Sequence, residues 1–600
     1  MKLFKYALLA LAATAATGCS DYLEVTDESS VSPDNFPSNI EHVDLLLNST
    51  YAGSHGIGLY SYYWFPQIIY LLDKTHDTYG DYDDRSDLLN NAAMSDNARL
   101  AKAYSSIMEW IQYANAASDG ADAYRPSVKQ SEVARLDYMK GQALFNRALA
   151  YWHAQIFFEL ESKEGALGFP IIEHVPEGIA DMTPPRATVK ETWDFVISTL
   201  NEASELLKGN NSDKTRATYW AARGLLAKVY MQARRPAEAV PVLEDIFANS
   251  GAKLLDSDTY YKAFFADEKY EFNSENLYEL DFSVNMKQNG PWGGFTTGSG
   301  MQMVFSPWPL NLNMRWTKTP AAGTDALTQT TGGWGNNYVH DANVARFGFP
   351  LGTAPGRVEN PNYDDSEDRS INNFPWILDP DYAAKSQAVR DNKECDPRLF
   401  LAAAQPWFDT FHNSDGEEIW YDTSPERADL GYFSHHYFSP RKFTNLDGYE
   451  SELNFSNGAN IPLIRLADLY LLYAEAVKTT KPAEALEYVN KVHRRAYGYD
   501  PNSASPVDYA SLTATTCAAR GNAADILAND VIKYERWAEL FAEGQWWFDI
   551  RRYEILENEM KVYKETRVGN LTYQERSYAQ PVPLTEIERY NYTLQQNYNY

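Results

Sequence analysis

From Leu144 to Leu160 an apolar residue returns at every fourth position: Leu144, Ala148, Trp152, Ile156 and Leu160. Arg147 and Glu159 fall off that line. A stripe with this period marks an amphipathic α-helix, and we expect one over residues 136–160. Similar patterns predict helices over 192–207, 220–232 and 237–247. Elements that each carry one apolar face must bury it against another, so helices in close succession imply antiparallel pairs.

An internal echo sharpens this reading. Pro236-Ala237-Glu238-Ala239 precedes an apolar run that includes Leu243 and Ile246, and Pro482-Ala483-Glu484-Ala485 precedes one that includes Val489 and Val492. Each copy places proline at a helix start, a small alanine where two helices approach closely, and apolar residues four and seven positions on. Leu226, Ala227, Tyr230, Ala239 and Leu243 follow the spacing of a tetratricopeptide hairpin of about 34 residues, with Leu472, Tyr473 and Ala476 as the weaker second copy. Two isolated units do not make a free solenoid, so they must pack on the rest of the chain. Further helices are expected over 463–477, 483–496, 526–543 and 546–557.

Between these helical parts the texture changes. Over 278–460 helical periodicity is sparse and glycine, proline and asparagine are frequent, as in Gly290-Pro291-Trp292-Gly293-Gly294, Ser306-Pro307-Trp308-Pro309 and Gly332-Gly333-Trp334-Gly335-Asn336-Asn337. We expect a lobe of loops and short strands inserted into a helical body. The divisions are therefore 39–277, 278–460 and 461–600, with a polar, turn-rich end from 581.

The first residues suggest an address. Lys2 and Lys5 precede an apolar segment, Ala7 to Ala16, which has the length of a signal peptide and is too short to remain as a membrane helix. It runs through Ala16-Thr17-Gly18 into Cys19. This resembles a bacterial lipoprotein signal, which implies removal of 1–18, lipidation of Cys19, and a leader over 19–38 tethered to the outer membrane by lipid. The alternative is a plain secretory signal that leaves Cys19 as a free thiol. No later stretch has the uninterrupted apolar length of a membrane helix.

The balance of 53 basic and 82 acidic residues, a formal charge of −29, opposes binding to nucleic acid. Only three cysteines, Cys19, Cys395 and Cys517, are present, and none sits in a zinc-binding pattern, so a disulfide framework or structural metal is not expected.

Several segments together resemble the SusD-like (RagB/SusD) family. They are Cys19-Ser20-Asp21-Tyr22-Leu23; Ala143 to Ala148; Asp396-Pro397-Arg398-Leu399; Ile461 to Asp468 with Tyr473-Ala474-Glu475-Ala476; and Val489 to Val492. Later in the chain come Glu535-Arg536, Glu539-Leu540, Glu543-Gly544, Asp549 to Arg552, Pro581-Val582-Pro583 with Glu586, and Gln596-Asn597. Trp546 and His493 depart from the family by standing where arginine is usual, which implies different local ion pairing. The resemblance implies a mainly α SusD-like fold with tetratricopeptide-like helical hairpins as scaffold. It also implies one face docked to a SusC-like TonB-dependent transporter, and another presenting a glycan-binding surface.

Two groups of residues bear on chemistry. Glu539 and Glu543 lie one helical turn apart, the carboxylate pairing that a glycosidase uses. They stand among Glu535, Arg536, Asp549, Arg551 and Arg552, and neighbouring guanidinium groups depress carboxylate pKa values, the opposite of what a general acid needs. We read this cluster as a structural ion network. No G-x-S-x-G elbow, H-E-x-x-H pattern, phosphate loop or dinucleotide glycine pattern is present, so no catalytic residue and no cofactor is assigned. His435-His436 reads as surface or packed histidine. The acidic run from Asp77 to Asp84 reads as a solvated loop, since it lacks the glutamate that closes a calcium loop.

The second group is aromatic. Tryptophan, phenylalanine and tyrosine make up 14% of the chain, enough to supply both core and platforms. Trp292, Trp308, Trp316 and Trp334 stand in segments with no apolar period to bury them, and indole faces stack on the C–H faces of sugars. Asn311, Asn313, Arg315, Asn336 and Asn337 are close in sequence and suit hydroxyls at the rim. By the resemblance, an early loop also contributes, with Asp77 the chosen residue. The expected activity is glycan capture and delivery to the transporter without catalysis. The rival readings are a peptide-binding uptake lipoprotein of the same fold, a lipid-anchored glycoside hydrolase built on Glu539 and Glu543, and a scaffold that binds only protein.

Overall fold

The computed structural model describes residues 36–56, 58–60, 87–88, 92–159, 165–178, 181–264, 268–282, 315–318, 328–329, 339–352, 357–367, 373, 375–405, 408–412, 418–422, 438–443, 459–563 and 574–600. It is predominantly helical. We label the longer helices α1 (Ile40–Ser54), α2 (Ala98–Tyr124), α3 (Val133–Phe158), α4 (Val189–Leu206), α5 (Tyr219–Gln232) and α6 (Pro236–Asn249). The later ones are α7 (Leu466–Val477), α8 (Pro482–Ala496), α9 (Val531–Glu539) and α10 (Trp546–Tyr553).

Each helix from α1 to α8 packs on its neighbour in the series, α6 meeting α7 across the whole intervening lobe. This array is consistent with tetratricopeptide-like pairing. The small alanines of the echo, Ala239 and Ala485, are fully buried, as are Leu243, Ile246, Val489 and Val492.

The helices begin where local chemistry allows. Thr188 and Glu191 form a capping box, each side chain satisfying the other's backbone N–H, so α4 starts three residues before its apolar stripe. Asn97 caps α2 by accepting from the N–H groups of Arg99 and Leu100 at 3.1 Å. In α3 the stripe residues Leu144, Ala148, Trp152 and Ile156 are buried, and so are Arg147 and Glu159 off the stripe. With α2 on one side and α4 on the other, this helix has little outward face. Arg147 therefore donates to the Glu173 carbonyl at 2.8 Å, and Glu159 pairs with Arg551 at 2.8 Å.

Several expected helices are shorter or different. Residues 461–465, which overlap the first three residues of the expected helix 463–477, form a strand that pairs antiparallel with Asn276–Leu280, Ile461 opposite Leu280 and Arg465 opposite Asn276. A continuous buried apolar run fits either element by pattern, and here pairing across 180 residues decides it. The helix expected over 526–543 is only α9. Asp530 caps its start, and Ala542 adopts a left-handed φ of 67° beyond its end. The one expected over 546–557 breaks at Glu554, φ 57°, into α10 and Leu556–Val562. The polar end holds a short helix, Leu584–Arg589.

The lobe between the paired strands contains helices Asp341–Arg346, Pro380–Asp391 and Arg398–Ala402. It also contains an antiparallel sheet in the order Thr328–Gln329, Arg315–Lys318, Glu418–Asp422, Thr410–His412. Among the described residues no helix is long and apolar enough to cross a membrane.

Candidate functional site

Among the described residues a large cluster of ionisable groups is buried. Strand residue Arg465 donates to Glu275 and Glu539 at 2.9 and 2.8 Å, and to both oxygens of Glu543 at 2.8 Å. Arg495 on α8 pairs with Glu275 at 2.9 Å and also with Glu539. Arg398 binds Asp396 at 2.6 Å and Glu535 at 2.8 Å, while Lys442 reaches Glu543 at 2.8 Å. His493 Nδ1 and the Tyr509 hydroxyl both bond Glu535 Oε1, at 2.8 and 3.0 Å.

The cluster expected around Glu535 to Arg552 is thus a buried ion network, with one correction. Arg536 does not neutralise Glu539 and Glu543. It pairs with Asp468 and Asp549, each at 2.8 Å, because the helix ends at Glu539 and the turn carries Glu543 to Arg465 and Lys442. Lys228 joins Asp468 at 2.6 Å and Arg552 joins Asp549 at 2.7 Å, which ties α5 to α7, α9 and α10.

The surrounding cations keep these carboxylates ionised. Burial would raise the Glu535 carboxyl, but Arg398 and His493 outweigh it and hold the pKa down to about 2. Burial acts on Glu539 likewise, and Arg495, Arg465 and Arg398 hold it well below the ordinary range. Groups held ionised this firmly cannot donate a proton to a leaving group.

Sequence patterns named many of these residues separately, Arg495 among them in the motif Val492-His493-Arg494-Arg495, but missed Glu275 and Lys442. No spacing signal links partners that lie 190 and 220 residues apart. The family departures also find partners here. His493 takes its place on Glu535, and Trp546 Nε1 donates to Glu559 at 3.0 Å beside Arg346.

The C-terminal motif is a clasp. Gln596 and the Val582 backbone exchange two hydrogen bonds of 2.7 Å, and Asn597 donates to the carbonyls of Phe158 and Gln580. Arg186 accompanies them, bonding Asn597 Oδ1 at 2.8 Å.

The expected platform lies almost wholly outside the described residues: Trp292, Trp308, Trp334, Asn311, Asn313, Asn336, Asn337, Asp77 and Cys19 all do, as do His435 and His436. Arg315 and Trp316 lie on a described strand, where their backbones stand opposite Asp422 and Tyr421. No cluster of three or more metal-ligating side chains occurs among the described residues.

A model of the SusD family matches residues 310–600, and one described as starch-binding associating with outer membrane matches 21–231. The chain belongs to the SusD-like family. It is 22% identical over 562 residues to SusD-like protein P38 of Formosa agariphila, covering 91% of this chain and 90% of that one. A SusD-like protein of Bacteroides fragilis has the same fold at 17% identity and a TM-score of 0.64, covering 95% of this chain and 99% of that one. A laminarin-binding SusD-like protein matches at 19% identity and a TM-score of 0.60, covering 93% and 99%.

Proposed function

We propose that this protein captures glycans at the outer membrane and passes them to a SusC-like TonB-dependent transporter, with no bond made or broken. Residues 1–18 serve as signal peptide, Cys19 carries the lipid, and 19–38 form the leader. The helical parts 39–277 and 461–600 are the scaffold, and the lobe 278–460 presents the ligand surface. Membership of a family whose relatives include a laminarin binder supports the ligand class. The observation that carries the non-catalytic reading is the engagement of Glu535, Glu539 and Glu543 in buried ion pairs, a setting poorly suited to a general acid.

Trp292, Trp308, Trp316 and Trp334 stack on sugar rings, with Asn311, Asn313, Arg315, Asn337 and Asp77 at the hydroxyls. An aromatic platform of this kind gives millimolar to micromolar affinity, about 4–8 kcal/mol. Calorimetry against a polysaccharide panel tests this. Single Trp→Ala changes at the four positions should weaken binding tenfold or more at one or two of them. Unchanged affinity in all four would place the platform elsewhere, and silence across the panel would remove the glycan reading. Release of new reducing ends that vanishes in Glu539→Gln would establish the hydrolase instead. Binding of peptides in place of sugars would establish the peptide-uptake relative.

A further inference from the structure

Two cavities of about 460 and 520 Å³ share Arg520 in their walls. The first is walled by Tyr497, Tyr509, Thr515, Cys517 and Asp508, whose charge Arg494 meets at 2.6 Å, and the second by Phe349, Leu351 and Glu394, which accepts from Asn392 at 3.1 Å. Their junction is built closely. Gly348, at φ 87°, lets the stem of Arg520 approach, since a Cβ there would stand 3.3 Å from Arg520 Cδ and 3.1 Å from Cys517 Cβ. A Cβ at Gly521 would stand 2.8 Å from that of Ala345, so only glycine lets the 517–521 turn lie against Asp341–Arg346.

Two polar groups at this junction are unspent. Arg520 is exposed and pairs with no carboxylate among the described residues, on a chain whose formal charge is −29. His493 lines the first cavity although it is only 4% exposed. Its ring lies between Tyr497 and Tyr509, centroids 4.6 and 4.2 Å away, and its Nδ1 is fixed on Glu535. Nδ1 therefore carries the proton that the carboxylate accepts, and Nε2 has no partner among the described residues. The carbonyl of Tyr497 holds Lys393 at the same rim, 2.9 Å away.

We propose that the cavities joined at Arg520 form a second ligand site for an anionic sugar, with its carboxylate or sulfate on the Arg520 guanidinium and a ring hydroxyl on His493 Nε2. A guanidinium presents a planar fork to an oxyanion, and the fixed imidazole supplies a polar contact for a sugar hydroxyl. The inference rests on the glycan-binding reading and narrows it to include acidic chains.

Calorimetry on the lipid-anchored protein in detergent tests it, with an oligogalacturonate, a sulfated oligogalactan and a neutral oligogalactan of equal length. Arg520→Ala should weaken at least one acidic probe tenfold or more, and Arg520→Glu should abolish its binding. Neutral binding should not change in either variant. Alkylation of Cys517, half-buried where Cys395 is buried, should slow when the acidic probe is present. The proposal is overturned if acidic binding survives Arg520→Glu, if Cys517 is not protected, or if acidic binding disappears with the platform tryptophans. It is also overturned if an acidic peptide, and no sugar, shows the Arg520 dependence. Failure of both acidic probes with neutral binding intact overturns this site alone, whereas failure of all three probes and of the polysaccharide panel overturns the glycan reading as well.

Discussion

Between Val133 and Asn249 the helices meet through hydrocarbon: Leu149, Leu200, Leu225, Val229, Leu243 and Ile246 are each fully buried against one another's faces. Between Leu466 and Tyr553 the same hairpin architecture closes over charge, with Asp468, Arg495, Glu535, Arg536, Glu539 and Asp549 just as inaccessible. The two regions share a shape and differ in what fixes it. Apolar packing tolerates small adjustments of one helix against the next, since it is non-directional. A lattice in which Arg465 must reach Glu275, Glu539 and Glu543 together admits one placement of the strand relative to α8 and α9.

The contrast breaks most directly at Arg465. Arg465→Ala leaves three acids buried beside fewer cations, and removing one partner from a buried pair costs about 3–5 kcal/mol. We expect a loss at or above the top of that range in denaturant unfolding. A loss under about 1 kcal/mol would mean that water reaches the acids and the lattice does not hold the fold.

The next largest effect is in acid. Glu535, with its pKa held at about 2 against 4.5 in the unfolded chain, contributes stability that is complete above 4.5 and lost as pH falls through 2. His153 is pushed by burial to about 4 from 6.5, so its contribution is complete above 6.5 and lost as pH falls toward 4. Each shift corresponds to about 3 kcal/mol. Glu279, at the root of the lobe, is pushed up by burial to about 7, and its contribution runs the other way, complete below 4.5 and lost as pH rises through 7. In Glu279→Gln the His153 slope should therefore stand uncovered. Hydrogen exchange should then show α3 loosening between pH 6.5 and 4, while α9 stays protected until lower pH. Simultaneous loosening of both helices would erase the difference between the regions.

These same forces decide how much could be read in advance. Hydrocarbon packing writes itself into local spacing, which is why α3 to α6 and α8 were expected within a few residues of their observed ends. Arg398 and Glu535 lie 137 residues apart and carry no period that joins them, so the lattice appeared only as scattered charged motifs. Leu463 to Arg465, the end of the strand Ile461–Arg465, were read as helix because two apolar residues before an arginine carry no period that separates the two elements. The proposed platform gave a composition, tryptophan among glycine and asparagine, but composition cannot arrange rings in space, and the described residues leave that arrangement open to the binding experiments.

The smallest predicted effect concerns the tolerance of the hydrocarbon region. Ile246 is fully buried on α6, within the echo that Val492 repeats on α8. Ile246→Val removes one methylene and should cost about 0.5–1.5 kcal/mol, with unfolding cooperativity unchanged. Glu539→Gln is an equally small change of shape, yet it turns an acceptor for guanidinium groups into an amide that must aim an N–H somewhere among them. Its cost should be several times larger. If the two substitutions cost the same in parallel denaturant titrations, shape rather than charge limits both regions, and the fixed placement of strand against helix would have to come from packing alone.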